Sequence, residues 1–323
     1  MQVQNTPRKI AIFTDIHGLL EPLEAVLMDI KKRGITEIYS LGDNVGIGPS
    51  PYEVMTFILE NNIHSVLGNY EEILLHGSAM FQSYLTQEKI NDSVFTKSRL
   101  TTEQIIEMSN WPHSIEFHTN HHHLALCHFA NDVRWDFLYH NSYMYMNKIQ
   151  KGQNGYPQFS YTNSKSQMLY LAYRLGIDLK KLAQCSTAKE CLKQIQSEVK
   201  KQKMRIEKDP SLRGYLSSVE EPLFFHQDKQ LKTVYDYDYI IQGHTHFEVL
   251  EEDQNTKFYA IRGAALGFSD YDSVDHAKYL ILTFDNEHIY FEAVEVPYDR
   301  EKMTFQINHA TFPNQLIRKY TRI

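Results

Sequence analysis

Short apolar runs alternate with helix-spaced segments along the first part of the chain. Lys9 to Thr14 is such a run, and Leu20 to Lys32 then carries Leu20, Leu23, Val26, Leu27 and Ile30 at the spacing of one helix face, with Gly34 as its stop. Glu37 to Leu41 reads as a second strand, Pro51 to Asn61 as a helix entered through proline, and Ile63 to Leu67 as a third strand. This alternation predicts a largely parallel sheet with right-handed crossovers, and so one rim for whatever follows each strand.

Further on, Tyr70 to Leu75 is expected to start a helix whose N-terminus favours an anion. Thr101-Thr102-Glu103-Gln104 resembles a capping box for a helix ending before Trp111-Pro112, and strands are expected at Ser114 to His118 and His122 to His128. The rhythm then breaks. Residues 131–235 show no strand alternation and are expected to be an inserted, mostly helical cap, with Lys193 to Lys208 as a solvated helix face. Strands return at Tyr239 to Gln242, Phe247 to Leu250, Lys257 to Arg262, Lys278 to Phe284 and Ile289 to Val296, read as antiparallel hairpins. Residues 301–323 are a tail without assignment.

The strand ends carry the chemistry. Asp15 and His17 lie two residues apart just after the first run, where strand alternation would aim them to one side. Asp43 in Gly42–Gly46, Asn69 in Gly68–Glu71, His128 after Leu124–Cys127, and His244 with His246 after Gly243 follow the same plan. Two Asp, one Asn and four His are enough to hold two divalent ions through a shared carboxylate. Mixed oxygen and nitrogen donors suit Mn²⁺, Fe or Zn²⁺ better than Mg²⁺ or Ca²⁺. By contrast, three adjacent imidazoles at His121-His122-His123 cannot face one site from a strand and read as a solvated turn.

Composition adds exclusions. The 323 residues are 42% hydrophobic and 23% charged, an ordinary globular balance. A net charge of −7 gives no encouragement to nucleic acid or anionic membrane. No apolar run approaches the roughly 20 residues of a membrane span, and the N-terminus lacks a signal-like apolar stretch, so a soluble cytoplasmic protein is expected. Cys127, Cys185 and Cys191 show neither metal-ribbon spacing nor a disulfide framework.

Taken in order, DxH at Asp15/His17, GDxxG at Gly42–Gly46, GNxE at Gly68–Glu71, His128 and GHTH at Gly243–His246 resemble the calcineurin-like metallophosphoesterases. The resemblance covers residues 8–130 and 236–300. It implies a four-layer α/β/β/α sandwich with core segments 1–130 and 236–300, the cap 131–235 lying outside it. It also implies that Asp15, His17, Asp43 and His246 hold one ion. Asp43 would bridge to a second held by Asn69, His128 and His244, with an ion-bridging hydroxide attacking phosphorus. The stretches around Asp15, Asn44–Pro51 and Glu295–Asp299 look like the bacterial YfcE-type phosphodiesterases, a group that includes relatives of diadenosine polyphosphate hydrolases.

Two departures narrow the expectation. Many such proteins carry His where Tyr70 stands, and Asn-Pro-Gly-Ser where this chain has Arg262-Gly263-Ala264-Ala265. Without that His, leaving groups that depart as stabilised phosphate or phenolate are favoured, so the implied substrates are small phosphodiesters and nucleotide anhydrides. Asp43, Asn69, Tyr70 and His128 are the candidate catalytic residues. Arg134 with Trp135, and Arg262, are further candidates to grip phosphate or stack a base, against ordinary loop packing. A retired phosphoesterase serving as a binding scaffold is the alternative. Ser/Thr phosphatase action is disfavoured by its basic alkoxide leaving group.

Overall fold

A computed structural model describes residues 7–76, 86–119, 121–128, 171–172, 175–178, 188–209, 237–246, 248–253, 256–265, 275–285 and 288–321. The chain divides into two compact units, one built from residues 1–78, 85–129 and 237–323, the other from 79–84 and 130–236.

The first unit runs β1 (Arg8–Phe13), α1 (Leu20–Lys32), β2 (Glu37–Ser40), α2 (Pro51–Glu60), β3 (His64–Ser65), α3 (Asn69–His76), α4 (Gln87–Arg99), α5 (Thr102–Ser109), β4 (Ser114–His118) and β5 (His123–Cys127). The second unit contributes α6 (Ala188–Lys201) and α7 (Lys203–Lys208). The first then resumes with β6 (Tyr239–Gln242), β7 (Val249–Asp253), β8 (Thr256–Ala260), β9 (His276–Phe284), β10 (Ile289–Pro297), α8 (Arg300–His309) and α9 (Gln315–Thr321).

Among the described residues, ten strands form two five-stranded sheets, in the orders β10-β9-β1-β2-β3 and β4-β5-β6-β8-β7. Side chains two residues apart share a face, and the core follows from that. Ile10 and Ile12 of β1, with Leu280 and Leu282 of β9, meet Phe117, Leu124, Leu126, Ile241 and Tyr259 from the opposite sheet. Ala11, Phe13, Tyr279 and Ile281 point the other way, against Leu23, Val26, Leu27 and Ile30 of α1 and Val54 and Ile58 of α2. Each fully buried Ile, Leu or Phe contributes about 1.5–3 kcal/mol, so both faces of β1 are strongly specified. The result is a mixed α/β sandwich of two sheets with flanking helices.

β1, β2 and β3 pair in parallel as the alternation predicts, while β9 and β10 add antiparallel strands on the other side. The C-terminal hairpins β7–β8 and β9–β10 are antiparallel, but β6 is not part of a hairpin: it pairs in parallel with both β5 and β8. Parallel pairing puts the ends of β5 and β6 side by side, which no purely antiparallel arrangement would do.

The capping box forms, with Gln104 N donating to Thr101 Oγ1 (3.2 Å) and Thr101 N to Gln104 Oε1 (3.1 Å). Three helices had no counterpart in the sequence pattern. α4 turns Asp92, Ser93 and Thr96 inward, so apolar periodicity does not mark it. α8 and α9 occupy the unassigned tail, burying Met303, Ile307 and Ile317 against Leu19, Ile47, Tyr70 and Ala265. Lys193 to Lys208 is an exposed helix face interrupted by buried Ile195 and Ile206. No described helix is long and apolar enough to cross a membrane.

Candidate metal centre

All seven expected ligands come together at the ends of β1, β2, β5 and β6 and the start of α3. Strand alternation does not aim Asp15 and His17, because β1 stops at Phe13. Asp15, His17, Asp43, His244 and His246 instead adopt left-handed backbone angles, φ 57°, 53°, 52°, 65° and 58°. Such conformations are unfavourable for residues with a Cβ and persist where surrounding contacts impose them. Here the turns after β1 and β2 are laced together by Asp15 N to Gly42 O (3.0 Å), His17 N to Asp43 O (2.8 Å) and Gly18 N to Asn44 O (2.8 Å).

One set of donors is Asp15, His17 and His246. His246 Nε2 lies 3.0 Å and His17 Nε2 3.6 Å from Asp15 Oδ1, and the two imidazole nitrogens are 3.2 Å apart. The second set is Asp43, His128 and His244. His128 Nε2 lies 3.4 Å from Asp43 Oδ2, and Asn69 Oδ1 sits 3.1 Å from His128 Nε2 and 3.0 Å from His244 Nδ1. Asp43 Oδ2 is also 3.8 Å from His17 Nε2, so this one oxygen faces both sets.

Donors held about 2.0–2.2 Å from a common cation stand roughly 3–3.6 Å from one another, which is the spacing seen here. Asp15 Oδ1 is buried and receives no hydrogen bond; it looks into the imidazole nitrogens instead. A buried carboxylate oxygen in that position needs a cation. The residues therefore fit a pair of divalent transition ions.

Neighbouring groups fix which atom of each ligand points inward. Thr14 Oγ1 (2.7 Å) and His244 N (3.0 Å) donate to Asp15 Oδ2, leaving Oδ1 for the cluster. Tyr70 N donates to Asp43 Oδ1 (2.9 Å), leaving Oδ2, so an amide in the first turn of α3 meets a protein carboxylate. The hydrogen bond between His128 Nδ1 and Leu41 O (2.7 Å) keeps a proton on Nδ1, so the neutral ring carries its lone pair on Nε2.

Behind them sits Glu71, fully buried, accepting from Asp43 N (2.8 Å), Asn44 N (2.8 Å) and Gly68 N (2.9 Å). Its place in GNxE marked it in the sequence, but its role did not show until the loops were seen folded around it. Close approach also sets Gly243, where a Cβ would lie 2.2 Å from Thr14 Oγ1.

The electrostatics have the same bias. Burial acts to raise Asp15 and Asp43, yet neighbouring imidazoles outweigh it and hold both carboxyls below their usual range. Burial works against charge on His128, but the Asp43 and Asp15 carboxylates push it up to about 10. His244, partly desolvated and facing His128, falls to about 3. Burial and the Asp43 charge together push Glu71 up to about 7, against His128 and the amides of Asp43 and Asn44, which favour its ionised form. Buried negative charge thus draws a proton onto His128 in the place where a divalent cation would serve both carboxylates.

Tyr70 is buried among Leu19, Ile47 and Met303, its ring perpendicular to that of His17 at 5.0 Å and 84°. Gly263 packs against the His246 ring, where a Cβ would meet Cγ at 3.1 Å. The Arg262 guanidinium is engaged by Glu295 (2.5 Å) and Glu248 (3.4 Å). Arg134 and Trp135 lie outside the described residues.

Comparison with known proteins agrees with this geometry. An uncharacterized protein of Methanocaldococcus jannaschii is 34% identical over 133 residues, a match spanning 40% of this chain and 54% of that protein. The fold resembles a hypothetical protein from Pyrococcus horikoshii (TM-score 0.55, 12% identity, 97% of both chains). It also resembles a metallophosphoesterase from Sphaerobacter thermophilus (TM-score 0.50, 17% identity, 97% of this chain and 98% of that one). Residues 8–180, more than half of the chain, match the calcineurin-like phosphoesterase family, and the chain belongs to that family.

Proposed function

We propose that this protein is a dimetal phosphoesterase whose substrates are small phosphodiesters or nucleotide anhydrides of the dinucleoside polyphosphate kind. The observation carrying the reading is the convergence of two donor sets on the single oxygen Asp43 Oδ2. Asp15, His17, Asp43 and His246 would hold one ion, and Asp43, Asn69, His128 and His244 the other, with Mn²⁺ preferred and Fe or Zn²⁺ next. When bound, such a pair supplies Lewis-acid charge for the phosphoryl oxygens and an activated water.

The chain's own groups do the rest. Thr14, Tyr70 N, Leu41 O and Glu71 keep each ligand atom aimed inward without rearrangement during turnover. Asn69 and His128, 3.1 Å apart within the donor set, would contact the substrate phosphate. Tyr70 acts by holding His17. No imidazole follows Asn69 to protonate a basic alkoxide, which supports leaving groups that depart as phosphate or phenolate. Residues 131–235 are proposed to narrow substrate choice, and a cytoplasmic setting suits this chemistry.

The test is Mn²⁺-dependent release of nitrophenol from bis(p-nitrophenyl) phosphate, with a parallel nucleotide panel. Wild type should turn over, Asp43→Asn should lose activity, and Tyr70→His should gain on alkyl esters. Absence of turnover by pure, metal-loaded protein would reject the reading, and a chain that retains no transition ion would favour the scaffold alternative.

A further inference from the structure

We propose a separate transition-metal site at the far end of the β4–β5 hairpin, formed by Glu116, His118 and His123, with two imidazoles and one carboxylate as donors. It does not depend on the phosphoesterase reading. In the antiparallel register His118 stands directly opposite His123. Glu116, two residues before His118, shares its face of the strand. The two imidazoles stack at 3.9 Å with 17° between planes, so joint ligation takes a rotation of the exposed His118 side chain to bring its in-plane lone pair toward His123 Nε2, which already lies 3.2 Å from Glu116 Oε2. One donor atom from each of the three residues falls within 4.8 Å of the others.

The surroundings hold Glu116, His123 and the turn in place. Tyr237 Oη donates to Glu116 Oε1 (3.0 Å), turning Oε2 toward His123, and the Tyr237 ring leans on His123 at 4.3 Å. His123 N donates to Asp238 Oδ2 (2.7 Å), which pins the start of β5. Thr119 Oγ1 accepts from His122 N (2.8 Å) and His121 N (3.3 Å), fixing the turn. The adjacent triplet therefore splits: His121 and His122 belong to the turn, while His123 looks across to the other strand.

Two imidazoles and a carboxylate, with one face open for water, suit Zn²⁺, Cu²⁺ or Ni²⁺ rather than Mg²⁺ or Ca²⁺. His123 opens β5 and His128 follows its last residue, so five residue steps of about 3.3 Å put this site roughly 16 Å from the centre described above.

Equilibrium dialysis of the full chain against Zn²⁺, read by elemental analysis, tests the proposal. Wild type should bind one more ion per chain than His118→Ala or His123→Ala, with fold checked by circular dichroism. Glu116→Gln, which keeps side-chain shape, should weaken that ion at least tenfold. Asp43→Asn should keep it, and His121→Ala and His122→Ala should leave the count unchanged. Equal stoichiometry in wild type and His118→Ala would overturn the site. Loss of the ion in His121→Ala, with His118→Ala unaffected, would overturn the cross-strand geometry.

Discussion

Replacing Glu71 by Gln should show how much of the centre is held from behind. The carboxylate accepts Asp43 N and Gly68 N on Oε2 and Asn44 N on Oε1. An amide nitrogen in place of either oxygen turns a donor toward one or two buried N–H groups. Each buried donor left without an acceptor costs about 1–3 kcal/mol, so Glu71→Gln should lose roughly 2–4 kcal/mol. Glu71→Ala, which abandons these amides and the longer hydrogen bond from Val45 N (3.4 Å), should lose more. The same loop holds Asp43 at φ 52°, and release of that conformation should lower ion affinity by roughly 10–100-fold. Urea unfolding in chelator isolates the stability effect, and calorimetric Mn²⁺ titration measures the affinity. A Gln variant within about 0.5 kcal/mol of wild type, with unchanged Mn²⁺ binding, would refute the idea that these hydrogen bonds shape the site.

Asp92 gives a pH prediction. Burial, then the Glu88 charge, pushes its carboxyl up to about 8, so the folded chain keeps a proton that the unfolded chain releases above about pH 4. Stability should therefore fall as pH rises from about 4 to about 8, by at most about 6 kcal/mol, and level off above. Asp92→Asn should flatten that profile and gain about 2–4 kcal/mol at pH 9; an unchanged unfolding curve would count against it. Gly243→Ala would drive a Cβ into Thr14 Oγ1 and should cost about 1–3 kcal/mol and weaken ion binding, measured by the same two assays. Chelation should lower Tm by roughly 5–10 °C relative to protein at a hundredfold excess of Mn²⁺ over its dissociation constant, since two buried carboxylates lose their counter-charge; equal melting curves would contradict that.

Much of this was legible in the chain because ligand types at strand ends are a local signal. Asp15 with His17, Asp43, Asn69, His128 and the His244/His246 pair could each be found beside a glycine or an apolar run. How they reach the cluster was not legible. Left-handed backbone at Asp15, His17 and Asp43 accompanies hydrogen bonds between the β1 and β2 turns, and His244, also left-handed, donates its amide to Asp15, contacts that belong to no single window of sequence. The same limit hid Glu71, whose partners are 28 and 27 residues away at Asp43 and Asn44. It also hid the parallel placement of β6, since pairing direction depends on the crossover rather than on the strand's own pattern. α8 and α9 escaped because a few apolar residues in a polar background suffice when the surface they cover, around Leu19 and Tyr70, is preformed.

His17 and His246 face each other across 229 positions of sequence. During synthesis at about 5–20 residues per second, the N-terminal carboxylates must wait many seconds for their last imidazoles to leave the ribosome. Until then neither donor set is complete, so tight ion capture reports that both ends of the first unit have found each other. Metal uptake by a nascent chain would serve as a clock for the finished sandwich rather than as the seed that starts it.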